Sequence, residues 1–356
     1  MDDDSGVRLP SVDVELTGID RARVTAWLDQ NVDGIEGPYE FEIITGGRSN
    51  LTFRCFDAHG TKFVLRRPPT GEVLASAHDM VREHRIIEAV GRTNVPVPTT
   101  MGVCEDVRVN GAPFYVMSHV DGVVLDTPEA AAEMRIEKRH EAGRHLIDVL
   151  ADLHAIDVDE VGLGDLAKRS GYVERQVRRW TTQWDRSKTR ELPAIDEVGR
   201  RLAADLPVQH GVSIAHGDYR FGNCLVDIES GLVTGVLDWE LCTLGDPLAD
   251  LGYLGVYWSD PGEEQSRPND PTGITGFPTY EELLARYAKR TGRDLSNIGY
   301  YVAFSSWRLA VISEGVYARF LHGAMGDQAV DPTMLESFRS GAERLAEEAL
   351  AALTPS

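Results

Sequence analysis

Between residues 41 and 67 the chain alternates short runs of two kinds: "FEIIT", "GGRSN", "LTFRCFD", "AHGT" and "KFVLRR". β-branched and aromatic runs punctuated by turn formers read as strand, Gly-rich turn, strand, turn, strand, which is an antiparallel meander. "SAHDMVREHRIIEAV" (76–90) follows as a helix with Ser76 near its start, and "TTMGVCED" and "PFYVMSHV" add two strands around "VNGA". Residues 36–120 are therefore expected to hold five strands and one inserted helix. Past Gly122 the texture turns helical, with apolar stripes over 129–155, 172–184, 246–257, 280–291, 297–321 and 332–352. A β-rich island at 212–238 interrupts them. Upstream, Val24, Trp27, Leu28 and Val32 recur at helical spacing behind Asp20, a cap for a helix over 20–32. Residues 259–279, rich in Pro, Gly and acids, are expected to form a mobile loop.

At 356 residues the chain exceeds one ordinary core, so two unequal lobes with a cleft are expected. Fifty-seven acidic against 36 basic residues give a formal net charge of -21, which repels phosphate backbones and anionic lipid; neither nucleic acid polymer nor membrane is an expected partner. An anionic substrate would need a local basic or metal site. The opening "MDDDSGVRLP" lacks a signal-like apolar stretch, and no run of about 18 apolar residues occurs, so a cytoplasmic protein is expected. Cys55, Cys104, Cys224 and Cys242 form no C-x-x-C pair and read as reduced thiols. Oligomeric state leaves no signature.

The chemistry-bearing stretch is "AHGDYRFGNCLV" (215–226), answered by "VLDWE" (236–240). Asp218 and Asn223 stand as D-x-x-x-x-N, the spacing of a kinase catalytic loop, in which the Asp accepts the substrate hydroxyl's proton and the Asn holds Mg²⁺. A hairpin then carries the chain to Asp238, at the end of its second strand. Hard oxygen ligands from Asn223 and Asp238 leave room for waters and phosphate oxygens, as Mg²⁺ prefers.

His216, Gly217, Asp218, Asn223, Leu237, Asp238, Trp239 and Glu240, with the further run Gly245-Asp246-Pro247-Leu248-Ala249-Asp250-Leu251, resemble the signature of kinase-like small-molecule phosphotransferases, the family of aminoglycoside phosphotransferases and choline kinases. The resemblance spans roughly residues 40–325. It implies an α+β, bilobal protein-kinase-like fold: a small antiparallel N-lobe at 36–120, a larger, mainly helical C-lobe at 121–356, and residues 1–35 as a helical extension. It implies ATP or GTP with Mg²⁺, and a small molecule offering a hydroxyl. "ITGGRSNLTF" resembles the family's glycine loop, which makes Gly46, Gly47, Ser49 and Asn50 nucleotide-binding candidates. Arg66 falls where the family carries a phosphate-binding Lys, with Glu83 as its partner; a planar fork there replaces a point charge. The backbone of Ser118, His119 and Val120 would meet the adenine edge. "RRPP", "HDMVREHRII", "NVPVP" and "SSWRLAVISEGVYAR" look most like the kinase-like part of acyl-CoA dehydrogenase fusions, which suggests a hydroxyacyl-CoA or related metabolite rather than an aminoglycoside.

Each candidate has a plainer reading. His216 is expected to brace the loop rather than act as a base, and Asp246 and Asp250 read as caps as readily as chemistry. Tyr253, Trp258, Trp307 and Arg308 are acceptor-pocket candidates, although helical Trp and Tyr more often pack in a core; Arg308 is the hardest to explain that way. A nucleotide-binding pseudokinase, in which Arg66 has displaced the Lys without catalysis, is the rival to an active enzyme. A metal-dependent phosphohydrolase built on His216, Asp218 and Asp238 lacks a second His cluster.

Overall fold

The meander folds as a five-stranded antiparallel sheet in the order β1-β2-β3-β5-β4, with β1 at Glu40–Ile43, β2 at Leu51–Phe56, β3 at Lys62–Arg67, β4 at Thr100–Cys104 and β5 at Phe114–Ser118. The computed structural model describes residues 17–44, 50–70, 78–262, 270–321 and 332–353. The described residues divide into two compact units, one reaching to Arg85 and resuming over Thr99–His119, the other comprising Ile86–Pro98 and the chain from Val120 onward.

In the first unit α1 (Arg21–Asn31) starts at Asp20, whose side chain accepts from Arg23 N. It buries Val24 and Leu28 in one apolar cluster with Phe53, Phe63, Leu65 and Val116 of the sheet. Strand alternation decides the rest. Phe63 and Leu65 face this cluster, and Arg67 on the same side donates to the carbonyls of Gly18, Pro68 and Asn110. Arg66 takes the opposite face. Helix α2 (Met80–Val90) begins later than expected; Asp79 accepts from Arg82 N and takes the capping place, while Ser76 lies outside the described residues. The short α3 (Val107–Asn110) connects β4 to β5.

The second unit opens with β6 (Val123–Val124). The stretch at 129–155 is two helices, not one: α4 (Pro128–Ala132) and α5 (Ile136–Ala155). Arg139 holds the break, its guanidinium donating to the carbonyls of Ala132 and Met134 that a continuous helix would have bonded internally. Next come α6 (Tyr172–Ser187) and α7 (Pro193–Ala204). Helix α7 is not among those read from the sequence; Pro193 sits in its first turn, where the missing N–H costs nothing, and Ile195, Val198 and Leu202 form its buried stripe.

The β-rich island supplies β7 (Ser213–Ala215), β8 (Cys224–Asp227), β9 (Leu232–Val236) and β10 (Thr243–Gly245). Strands β6, β8 and β9 form one sheet, and β7 pairs with β10. Helices α8 (Leu248–Val256), α9 (Tyr280–Thr291), α10 (Ile298–Leu321) and α11 (Pro332–Ala352) complete the unit, with α10 packed against α6, α7, α8 and α11. At Gly252 a Cβ would lie 2.5 Å from the backbone carbon of Tyr301, so only glycine permits that approach of α8 to α10.

The segment expected to be a mobile loop is anchored at both described ends. Ser259 N donates to Thr272 Oγ1 at 2.9 Å, Trp258 Nε1 donates to Pro278 O at 3.0 Å, and Asp270 and Thr272 are buried. Residues 263–269 lie outside the described residues. No helix among the described residues is long and apolar enough to cross a membrane.

Candidate active site

β7 delivers the chain into a loop, residues 216–223, whose backbone is held by side chains from distant elements. Asp250 in the first turn of α8 accepts from the N–H of His216 at 2.6 Å and of Gly217 at 2.8 Å. Burial by itself would push this carboxyl up. The His154 ring, 3.3 Å away, together with the Gly217 N–H, outweighs that and holds Asp250 below the usual carboxylate range. His216, fully buried, sets its Nε2 2.9 Å from Leu237 O, while its Nδ1 accepts from Asp218 N at 3.3 Å. Those two partners fit the neutral Nε2–H tautomer, so His216 braces two backbone segments and has no lone pair left for a substrate. Tyr219 ties the loop to α5 through its hydroxyl, which donates to Leu146 O at 2.7 Å.

Gly217 sits at φ +83°, and a Cβ there would lie 2.8 Å from Leu241 O. Gly217→Ala is therefore expected to destabilise the protein by about 1–3 kcal/mol from backbone strain alone. A denaturant titration of wild type beside the variant measures this, and an unchanged midpoint would contradict it.

Asp218, Asn223 and Asp238 belong to one local construction. Asn223 Nδ2 donates to Asp218 O at 2.8 Å, and Asn223 O accepts from Leu237 N at 2.9 Å, immediately before Asp238. The Cys224–Val236 pairing continues this register along β8 and β9. Because the amide N–H₂ is committed to a carbonyl, the oxygen end of the Asn223 side chain is the one that remains to meet a cation. Asp238 is the one non-glycine residue at positive φ among the described residues (φ 64°, ψ 63°). That conformation costs of order 1 kcal/mol and is tolerated best by Asn and Asp. One amide oxygen and one carboxylate at neighbouring registers suit an octahedral cation whose other positions go to phosphates and water. Among the described residues no three His, Cys, Asp or Glu side chains gather as a closed metal cage would require.

Asp218 is 20 % exposed, and its Oδ1 is buried without a hydrogen bond among the described residues; Arg220 Nε stands 3.5 Å away. Arg220 lies over the Tyr257 ring at 4.9 Å and Arg308 over the Tyr253 ring at 4.6 Å, with the two tyrosine hydroxyls 3.4 Å apart. Arg308, 8 % exposed on α10, donates from Nη2 to Gly217 O at 2.7 Å. Two guanidinium groups thus flank the loop that carries Asp218. Among the other pocket candidates, Trp307 is a core residue that donates to Ile195 O, while Trp258 stacks on Phe221 at 5.7 Å.

In the first unit, Arg66 Nε lies 3.3 Å from Glu83 Oε1, both largely buried. Asn50, 7 % exposed, accepts from His78 Nδ1 at 2.8 Å; burial, and then the nearby charge of Arg66, hold His78 below the usual imidazole range. Ser118 N donates to Thr99 O and its Oγ accepts from Thr99 N, so that N–H is already committed. The division between units falls between His119 and Val120. Gly46, Gly47 and Ser49 lie outside the described residues.

The profile of the phosphotransferase enzyme family, APH, matches residues 40–292. The chain belongs to this family. A crystal structure from Ralstonia eutropha, provisionally named an aminoglycoside phosphotransferase, is similar to this phosphotransferase-family chain at 33 % identity and a TM-score of 0.78, covering 93 % of this chain and 98 % of that one. The aminoglycoside phosphotransferase APH(4)-Ia, in ternary complex with AMP-PNP and hygromycin B, shares the fold at 16 % identity and a TM-score of 0.59, covering 91 % and 98 %. The fold is thus protein-kinase-like, an antiparallel sheet region followed by a mostly helical one. Among curated proteins, mouse acyl-CoA dehydrogenase family member 10 is 37 % identical over 294 residues, which is 81 % of this chain and 27 % of that protein. The phosphotransferase-family chain spans between about a quarter and two-fifths of the length of such relatives.

Arg220, Tyr257 and His154 were not singled out from the sequence. Arg220 had a local signal, since it lies two residues after Asp218. His154 had none, because it acts through Asp250, 96 residues away.

Proposed function

We propose that the chain transfers the γ-phosphate of ATP, or of GTP, to a hydroxyl of a small molecule. The observation that carries this reading is Asp218 Oδ1, buried with Arg220 Nε 3.5 Å away and without a hydrogen bond among the described residues, on a loop whose backbone ties Asn223 to the residue before Asp238. In this reading Asp218 accepts the acceptor's hydroxyl proton and orients its oxygen toward the phosphorus. Asn223 and Asp238 hold Mg²⁺, which when bound neutralises charge on the phosphate oxygens. Arg66, steadied by Glu83, grips the α/β phosphates. Gly46, Gly47, Ser49 and Asn50 approach them through the backbone, and Ser118, His119 and Val120 meet the base. A reaction that consumes nucleotide fits a cytoplasmic location.

For the acceptor, we favour a hydroxyacyl-CoA or related metabolite over an aminoglycoside. Similarity to acyl-CoA dehydrogenase family members supports this, and so do Arg220 and Arg308, whose charges oppose a polycation beside Asp218. The pseudokinase reading has Arg66 in its favour. Against it stands the strained backbone of Asp238, which a site without a cation has no chemical need to maintain.

The test is transfer from ATP with Mg²⁺ over a panel of hydroxyacyl-CoA and aminoglycoside acceptors, beside nucleotide titration. Turnover of a hydroxyacyl-CoA is expected, and Asp238→Ala is expected to lose Mg²⁺-dependent nucleotide binding. Tight nucleotide binding with no turnover on any acceptor would favour the pseudokinase.

A further inference from the structure

Between α6 and α10 lies a concavity of about 490 Å³ that the reading above does not use. Its rim carries Arg179, Arg186, Lys188 and Arg319, and no acidic side chain among the described residues lines it. None of the four cations is ion-paired among the described residues. In a chain of net charge -21 this is a local inversion of the surrounding field. Trp180 contributes a flat apolar wall, under Arg179 at 5.6 Å, and its Nε1 is buried without an acceptor among the described residues. Val311 and Ile312 of α10 add apolar surface.

The concavity and the loop at 216–223 meet the same helix, α10. Arg308, Val311, Ile312, Gly315 and Arg319 recur at helical spacing along one face of α10. Arg308 touches Gly217 O beside Asp218, and Arg319 lies about 16 Å further along the helix at 1.5 Å per residue.

We infer that this groove is a subsite for the far end of the acceptor, and that this end is a phosphorylated headgroup with a planar face, joined by an extended arm to the hydroxyl that reacts. The inference rests on the phosphotransferase reading and adds to it the place where the acceptor's far end is held. Four cations without an ion pair among the described residues exceed what a single carboxylate would engage, and three of them are arginines, whose planar forks match phosphate oxygens two at a time. The Trp180 face suits a stacked heterocycle. A polycationic antibiotic is the chemistry this rim repels.

The test uses the full chain saturated with Mg²⁺ and AMP-PNP, so that the nucleotide's own site is filled. Coenzyme A is titrated against pantetheine, which keeps the arm and lacks the phosphorylated nucleotide, with tryptophan fluorescence and calorimetry as readouts. Coenzyme A is expected to bind about tenfold or more tightly than pantetheine, and the double variant Arg179→Glu, Arg319→Glu to lose about tenfold or more of that affinity. Both residues are exposed, so thermal melts should match wild type. Equal binding of the two probes, or unchanged affinity in the double variant, would overturn the subsite. Asp218→Asn, titrated in parallel, separates the two readings: retained transfer in that variant would sink the phosphotransferase assignment, while its coenzyme A affinity would still decide the groove.

Discussion

Asparagine in place of Asp218 is expected to lower phosphoryl transfer by about 10²–10⁴-fold, the range a positioned general base supplies. The substitution keeps the shape of the side chain and removes its capacity to take a proton. Because Asp218 anchors the loop through its backbone, in bonds to Asn223 and His216, the fold and the Mg²⁺-nucleotide affinity should stay as in wild type. The measurement is steady-state transfer on an acceptor turned over by wild type, with nucleotide titration alongside. Wild-type turnover by the variant would remove Asp218 from the chemistry. Lost nucleotide binding would instead show a structural role.

The second large effect is on stability. Removing the carboxylate in Asp250→Ala leaves the N–H groups of His216 and Gly217 buried without an acceptor, and the Nε2 of His154 without its carboxylate partner. The expected loss is about 3–5 kcal/mol, read from chemical denaturation at neutral pH, with activity falling as the loop shifts. The direction with pH follows from the depressed carboxyl. A carboxyl held below its unfolded value binds fewer protons folded than unfolded, so its stabilisation is complete above about pH 4 and is lost as pH falls through the lower, folded value. Wild type should keep its advantage over the variant from neutral pH to about pH 4 and shed part of it in stronger acid. An advantage that grew on acidification would contradict the assignment.

Local pattern carried much of the fold into view. The meander was legible because each strand is a contiguous run with its own turn signal, and the face of Arg66 followed from alternation along β3. Asp218, Asn223 and Asp238 were legible as candidates because they lie within 21 residues of one another on a loop and hairpin. What stayed hidden depends on contacts across long separations. Asp250 read as a cap; that it holds the loop at 216–223 depends on the packing of α8, 33 and 34 residues downstream of the N–H groups it accepts from. The break between α4 and α5 was invisible because both halves share one apolar stripe, and only Arg139 folding back onto the carbonyls of Ala132 and Met134 reveals it. Helix α7 escaped for a different reason: its Pro193 reads as a breaker unless it is recognised as a first-turn residue.

Arg308 reaches the loop at 216–223 from 91 positions later in the chain. During synthesis, the loop therefore emerges long before the helix that clamps Gly217 exists. A nascent or truncated polypeptide ending before α10 would carry Asp218, Asn223 and Asp238 yet lack the bond that fixes the Gly217 carbonyl beside them. On the phosphotransferase reading, nucleotide consumption should accordingly begin only once the C-terminal helices have docked, a late reporter of maturation in this molecule.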